Sequence, residues 1–119
     1  MNIRVTGAGF ALVNGLYQAR SFQSVPRGFA KTCDKMGWPS EATWKKLAMQ
    51  NLDWFESPNG SYIYLHTDGQ WWIDEPDGGG IYIAKSTNDE APPQEGWTPL
   101  TNGVLPLPSV QVIDDVNEL

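Results

Sequence analysis

The run SYIYLHTDGQWWIDE, residues 61–75, decides how this chain is read, because two aromatic-rich runs meet in it at Asp68-Gly69. Asp-Gly between apolar-rich runs favours a β-hairpin with a two-residue type I′ turn, whose positive φ angles suit the right-handed twist of paired strands. Such a turn sets the register: His66 opposite Trp71, Leu65 opposite Trp72, Tyr64 opposite Ile73 and Ile63 opposite Asp74. Side chains alternate between the faces of a strand. One face is therefore expected to carry Tyr62, Tyr64, His66, Trp71 and Ile73, and the other Ile63, Leu65 and Trp72. Neither is the polar face of a half-solvated sheet, so both need cover, from the rest of the chain or from a ligand or partner.

Working outward, residues 52 to 85 read as an antiparallel meander: LDWFES, an Asn59-Gly60 turn, SYIYLH, Asp68-Gly69, QWWID, a looser EPDGGG and IYIAK. Beyond it the chain is Pro-rich and extended, with Trp97 as its expected anchor and prolines at 92, 93, 99, 106 and 108 resisting regular pairing. It is expected to wrap over the domain or reach a neighbour, and residues 114–119 to form a frayed acidic tail. On the other side, NIRVTGAGFALVNGLYQAR predicts strands near 2–6, 10–13 and 16–20, the last two joined at Asn14-Gly15. Asn-Gly-x-Tyr occurs at 14–17 and again at 59–62, a hint of a duplicated hairpin. Gly7-Ala8-Gly9 does not open a dinucleotide loop: the third glycine of G-x-G-x-x-G would fall on Leu12, and strand-forming sequence follows where a helix should begin.

Residues 24–49 are the helical insert. Ser24 and Pro26 suit a helix start, Phe29, Cys33 and Met36 recur at i, i+4 and i+7, and Gly37 suits a C-terminal stop. After Trp38-Pro39, Ser40 is expected to cap a second helix with Trp44, Leu47 and Ala48 on one face. Only Lys31, Lys35, Lys45 and Lys46 would support a helix-turn-helix contact with nucleic acid, so the pair is read as a lid on the sheet.

At 119 residues the chain suits one domain, placed at 1–113. Six Trp, four Tyr and four Phe supply enough buried area to fold it despite nine Pro and twelve Gly. The fold class is α+β: an antiparallel meander or partly closed barrel, with two short helices packed on it and an extended Pro-rich C-terminal segment. No run reaches the roughly 20 apolar residues of a membrane span, and MNIRVTGAGF lacks the basic and apolar succession of a signal peptide. A soluble intracellular protein is the default expectation, with an organellar or exported origin left open. The single Cys33 cannot form an internal disulfide, which fits a reducing compartment. Residues 1–50 hold seven Lys/Arg against two Asp/Glu, and residues 51–119 one against twelve. That polarity is either neutralised within the fold or turned toward partners, and the net −6 disfavours nucleic acid.

His66 is the sole histidine and Cys33 the sole cysteine, and no zinc-ligand spacing is present, so neither metal nor cofactor is expected. A Cys33/His66 nucleophilic pair would require the helix to pack beside the hairpin, and Cys33 lies on the apolar stripe where an inert thiol is expected. Asp74-Glu75-Pro76-Asp77-Gly78 lacks the alternating ligands of a calcium loop and reads as a solvated turn. Asp53, Glu56, Asp74 and Glu75 offer carboxylates for glycoside hydrolysis, but the sequence shows no cleft to hold them at a working separation. The candidate binding surface is the aromatic face Tyr62, Tyr64, His66 and Trp71, whose flat rings suit sugars, proline-rich peptides or another protein's apolar patch. Against it stands core packing, since a domain of this size needs most of its aromatics inside. The expected function is a non-catalytic protein-interaction or structural module, self-association included, rather than an enzyme. A carbohydrate-binding module using the aromatic sheet face is the alternative.

The order Asn59-Gly-x-Tyr62, Tyr64, Trp71-Trp-Ile73, Gly78 to Tyr82, Pro92-Pro93 and Gly96-Trp97, with VTGAGFALVNGLYQ as an opening, resembles a Trp/Tyr/Gly-rich β domain recurrent in largely uncharacterised proteins of microalgae and other unicellular eukaryotes. The resemblance spans most of the chain. It implies an independently folded β-rich domain and brings no catalytic residues with it. GSYIYLHTDGQWWIDEP is also similar to WW domains in its order of aromatic strand, turn, Trp and Pro. It departs from them in the longer spacing from Trp72 to Pro76, so proline-motif binding does not carry over.

Overall fold

The computed structural model describes residues 1–113, and the expected acidic tail at 114–119 lies outside the described residues. Eight strands, β1 (Asn2–Thr6), β2 (Gly15–Arg20), β3 (Trp54–Glu56), β4 (Tyr62–Leu65), β5 (Gln70–Asp74), β6 (Gly80–Lys85), β7 (Thr98–Pro99) and β8 (Ser109–Ile113), form one antiparallel sheet in the order β7-β6-β5-β4-β3-β2-β1-β8. Helices α1 (Arg27–Met36) and α2 (Ser40–Leu47) lie between β2 and β3. The class is the α+β curled half-barrel with two helices that the sequence predicts. Among the described residues no helix is long and apolar enough to cross a membrane.

The central hairpin differs from expectation by one residue. His66 N donates to Gln70 O at 2.9 Å and Gly69 N to His66 O at 3.0 Å, so the loop is three residues long, with Gly69 at φ 86°. This is a type I turn followed by a left-handed bulge glycine, the next commonest hairpin after the two-residue one. The observed partners are Leu65 with Trp71, Tyr64 with Trp72, Ile63 with Ile73 and Tyr62 with Asp74. Because a one-residue slip exchanges the faces, Trp72 joins Tyr62, Tyr64 and His66, while Trp71 and Ile73 join Ile63 and Leu65. The same loop recurs at Ser57–Ser61 and Glu75–Gly79, with Gly60 at φ 97° and Gly78 at φ 98°. Its glycines, at 60, 69 and 78, are spaced nine residues apart, and each follows Asn or Asp.

Asn14-Gly15 is not a hairpin turn. Residues 11–13 form a 3-10 turn instead of a strand, and β2 pairs with β1 across the whole loop. Asn14 closes that loop through its amide, which accepts from Ala8 N and donates to Ala8 O, both at 3.0 Å. The two Asn-Gly-x-Tyr copies are thus not equivalent: Tyr17 enters the inner core, where its hydroxyl donates to Val13 O at 2.6 Å, and Tyr62 lies on the opposite face.

One core cluster holds residues from nearly every strand, from Ile3 and Val5 on β1 through Phe55, Ile63 and Trp71 to Ala84 on β6 and Val110 on β8. Residues near both edges share it, so this face is the concave, inner one. A bulge at Ile81 sharpens the bend between β5 and β6. The Pro-rich segment closes the open side: Val110 N donates to Gln94 O at 3.1 Å, and Thr98 four residues later pairs with Ile83. Trp97, fully buried between these points, is the expected anchor. Farther on, Gly9 N donates to Pro106 O at 2.9 Å and the Tyr82 hydroxyl to Val104 O at 2.6 Å.

Candidate functional site

The outer face of β3 to β5 is covered by α1 and α2. Helix α1 ends at Gly37, whose left-handed φ of 73° lets the amides of Gly37 and Trp38 return to carbonyls of the last turn. Phe29 and Cys33 of the expected stripe are buried, but Met36 is exposed. In α2, Trp44 packs edge-on to Phe29 at 5.1 Å and tilts against Tyr64 at 5.3 Å, and its indole donates to Phe22 O at 3.0 Å. Pro39 rather than Ser40 stands at the start of that helix, with no side-chain cap.

Glycines let α1 sit directly on the β5–β6 turn. A Cβ on Gly28 would meet Pro76 O at 2.6 Å and the Tyr62 ring at 2.9 Å, and one on Gly78 would overlap Gly28 O and Thr32 Oγ1. Ion pairs pin the same junction: Glu56 accepts from Arg20 at 3.2 Å and Arg27 at 3.3 Å, and Lys31 pairs with Asp77 at 3.2 Å. Three of the seven basic residues in the N-terminal half thereby meet two acidic residues of the other half.

Between the helix pair and β4 to β6 lies a cleft of about 190 Å³. Tyr64, His66 and Trp72 wall its sheet side, Phe29 and Cys33 its helix side, Trp38 and Leu47 its far end, and Asp74 also lines it. His66 stacks on Trp72 with centroids 5.3 Å apart and planes 26° from parallel. Asp68 fixes both rings: its backbone N–H donates to His66 Nδ1 at 2.9 Å, and its carboxylate accepts from the Trp72 indole at 3.1 Å. Trp38 is 46% exposed, a large ring in the short connector between the helices.

Asp74 is 4% exposed, and its Oδ1 has no hydrogen-bond partner among the described residues; neither has the Tyr62 hydroxyl across the strand pair. The two groups adjoin from paired positions without meeting hydrogen-bond geometry. Burial raises the Asp74 pKa to about 7, the Tyr62 phenol opposing the rise and Glu75 adding to it. Burial also pushes Tyr62 and Tyr64 up, with Asp74 reinforcing both.

The four expected surface residues are thus placed differently from one another. Tyr62 and Tyr64 are buried beneath the helices, Trp71 is fully buried in the inner core, and His66 alone is partly open, in the cleft. Sequence reasoning missed Trp38, Trp72 and Asp74 as members of one site. The nine-residue glycine spacing could have placed Trp72 and Asp74 on the tyrosine face, and an aromatic beside a helix stop could have marked Trp38. Cys33 and His66 do line the same cleft, but no hydrogen bond joins them among the described residues. Burial pushes the Cys33 thiol up, opposed in part by Thr43, and away from the thiolate a nucleophile needs. Among the described residues no three of His, Cys, Asp and Glu come together to hold a metal ion.

Fold and site together define an α+β half-barrel with a helix-covered outer face and an aromatic cleft beneath the cover. No family model, no curated protein and no solved structure matches the chain.

Proposed function

We propose that the chain is a non-catalytic protein-interaction module that grips one side chain of its partner in the cleft between the helix pair and β4 to β6. The observation that carries this reading is the exposed indole of Trp38 at the end of a cleft walled by Tyr64, His66 and Trp72. An exposed Trp beside a ring-lined pocket has the composition of a binding hot spot. A second hollow of about 290 Å³ along Trp38, Pro39, Thr43, Lys46 and Leu47 extends the mouth along α2, giving a partner chain somewhere to continue. The high-pKa thiol of Cys33 and the engaged Nδ1 of His66 support a binding role over a catalytic one.

An array of short peptides, varied one position at a time and read by retention of the full chain, tests the proposal. A subset of peptides should be retained, and Trp38→Ala should weaken that retention at least about tenfold, the scale of a hot-spot truncation. Retention of none, or retention indifferent to Trp38→Ala, rejects the reading. The carbohydrate alternative loses the aromatic sheet face to the covering helices; a response to a glycan panel without any response to peptides would restore it.

A further inference from the structure

We propose that the cleft takes an alkylammonium group, with the Asp74 carboxylate as its counter-ion and the rings of Tyr64, Trp72 and Trp38 along its methylene stem. The inference rests on the reading of this cleft as the binding site and names the chemistry it accepts. Its strongest support is Asp74, a buried carboxylate that lines the cleft and whose Oδ1, with the Tyr62 hydroxyl beside it, meets full hydrogen-bond geometry with no group among the described residues. Buried polar atoms are nearly always paired, and a carboxylate takes its strongest hydrogen bonds from cationic N–H donors. No lysine or arginine lines the cleft to supply one. The groups around Asp74 are Tyr62 and Tyr64 on β4 and Glu75 beside it, with His66 and, on α1, Cys33 lining the same cleft. Lys31 above the turn is held by Asp77, and Lys46 stands in the outer hollow.

The remaining walls suit the same ligand. Ring faces attract a cation and pack against methylenes, and a cavity of roughly 150 Å³ already accepts a benzene-sized molecule, so about 190 Å³ holds a four-carbon stem with its ammonium. An anion would face the carboxylate. A sugar would bring several hydroxyls into a site whose lining is mostly rings and aliphatic carbon, leaving most of them unpaired. The ammonium can come from a lysine side chain or from a free amine, and the chemistry in the cleft is common to both.

Protonation gives the pairing a signature. With a carboxyl pKa of about 7 in the empty cleft, an ammonium ligand selects the ionised form and releases a proton on binding at lower pH. Affinity then falls about tenfold for each pH unit below 7 and stays flat above it until the amine itself loses its charge.

The experiment titrates the full chain with n-butylammonium and, as the uncharged control, n-butanol, following tryptophan fluorescence between about pH 5.5 and about pH 8.5, a window that spans the Asp74 transition. In parallel, a lysine peptide retained on the array is compared with the same peptide acetylated at the lysine. The proposal expects saturable butylammonium binding that weakens toward acid pH, a much weaker response to butanol, and at least about a tenfold loss in Asp74→Asn. No butylammonium response, equal binding of butanol, or a pH-independent affinity overturns it, whether or not Asp74→Asn folds. Peptides held through residues other than lysine, without butylammonium binding, reject the ammonium and leave the interaction module standing. Butylammonium binding with no peptide retained does the opposite and identifies a free amine as the ligand.

Discussion

On the inner face of the sheet, aliphatic side chains such as Ile3, Val5, Ile63, Leu65, Ile73 and Val110 outnumber the rings of Tyr17, Phe55, Trp71, Tyr82 and Trp97, whereas the cluster under α1 and α2 is built mostly of rings: Phe22, Phe29, Trp44, Trp54, Tyr62 and Tyr64. Aliphatic branches interdigitate and fill space; large flat rings meeting edge to face make strong contacts and leave gaps between them. The cleft lies on the ring-built side. The polar groups left over differ as well. Among the described residues, the inner face leaves the Trp71 indole N–H without a partner, and the outer face leaves a carboxyl oxygen and a phenol that adjoin each other. A neutral N–H without a partner costs about 1–3 kcal/mol and a charged group more, so the outer face carries the larger unmet demand. The inner core spans nearly every strand, and the outer one borders the cleft.

The comparison can be broken most directly at Trp71. Trp71→Ala should lower the unfolding free energy by about 3–5 kcal/mol in urea titration; a loss under about 1 kcal/mol would mean that the inner face is not the structural one. Next comes pH. Asp74 binds its proton more tightly folded than unfolded, its carboxyl pKa rising from 3.8 to about 7. Its contribution is therefore most favourable below the unfolded value and is lost as pH rises through the folded one. Between about pH 5 and about pH 8 that loss is on the order of 3 kcal/mol, and Asp74→Asn should flatten it, leaving the variant the more stable of the two at the alkaline end. A pH slope retained in the variant would place the titration on another group.

Gly78→Ala tests the seam between the two faces. It forces a left-handed φ on a Cβ residue and presses that Cβ against α1, so a loss of about 1–3 kcal/mol is expected, together with a larger opening of the cleft to a thiol reagent at Cys33. Protection of Cys33 equal to the wild type would show that the turn does not hold the helix. Smallest in stability is Trp38→Ala. With its ring already half in solvent, the change should stay within about 0.5 kcal/mol in thermal unfolding, and a larger loss would make Trp38 part of the outer core.

Much of the architecture was legible because its signals are local. Alternating aromatics around Asp68-Gly69, the glycine stop at Gly37 and the prolines flanking Trp97 each report on their immediate neighbours, and the meander, the helix pair and the strap follow from them. The register was not legible from Asp-Gly alone, since that dipeptide serves a two-residue and a three-residue loop equally well and the two differ by one position. That single residue exchanged Trp71 with Trp72 and took Asp74 with it. The cleft was harder still. Trp38 and Cys33 come from the helical insert and His66 and Asp74 from the hairpin, and the two meet where α1 rests on Gly78, a contact that a Cβ there would prevent.

The pairing of β1 with β8 sets Asn2 beside Ile113 and Thr6 beside Ser109. Residues separated by almost the whole described chain are thus next-door neighbours, at the rim away from the cleft-bearing β4 to β6. The fold is in this sense a loop drawn shut at its base, so a short linker can join residue 113 to residue 2 and new ends can be cut elsewhere, with exposed surface turns as the natural places. For the same reason the unit can be carried inside a surface turn of another protein, entering and leaving through neighbouring strands while its cleft faces outward.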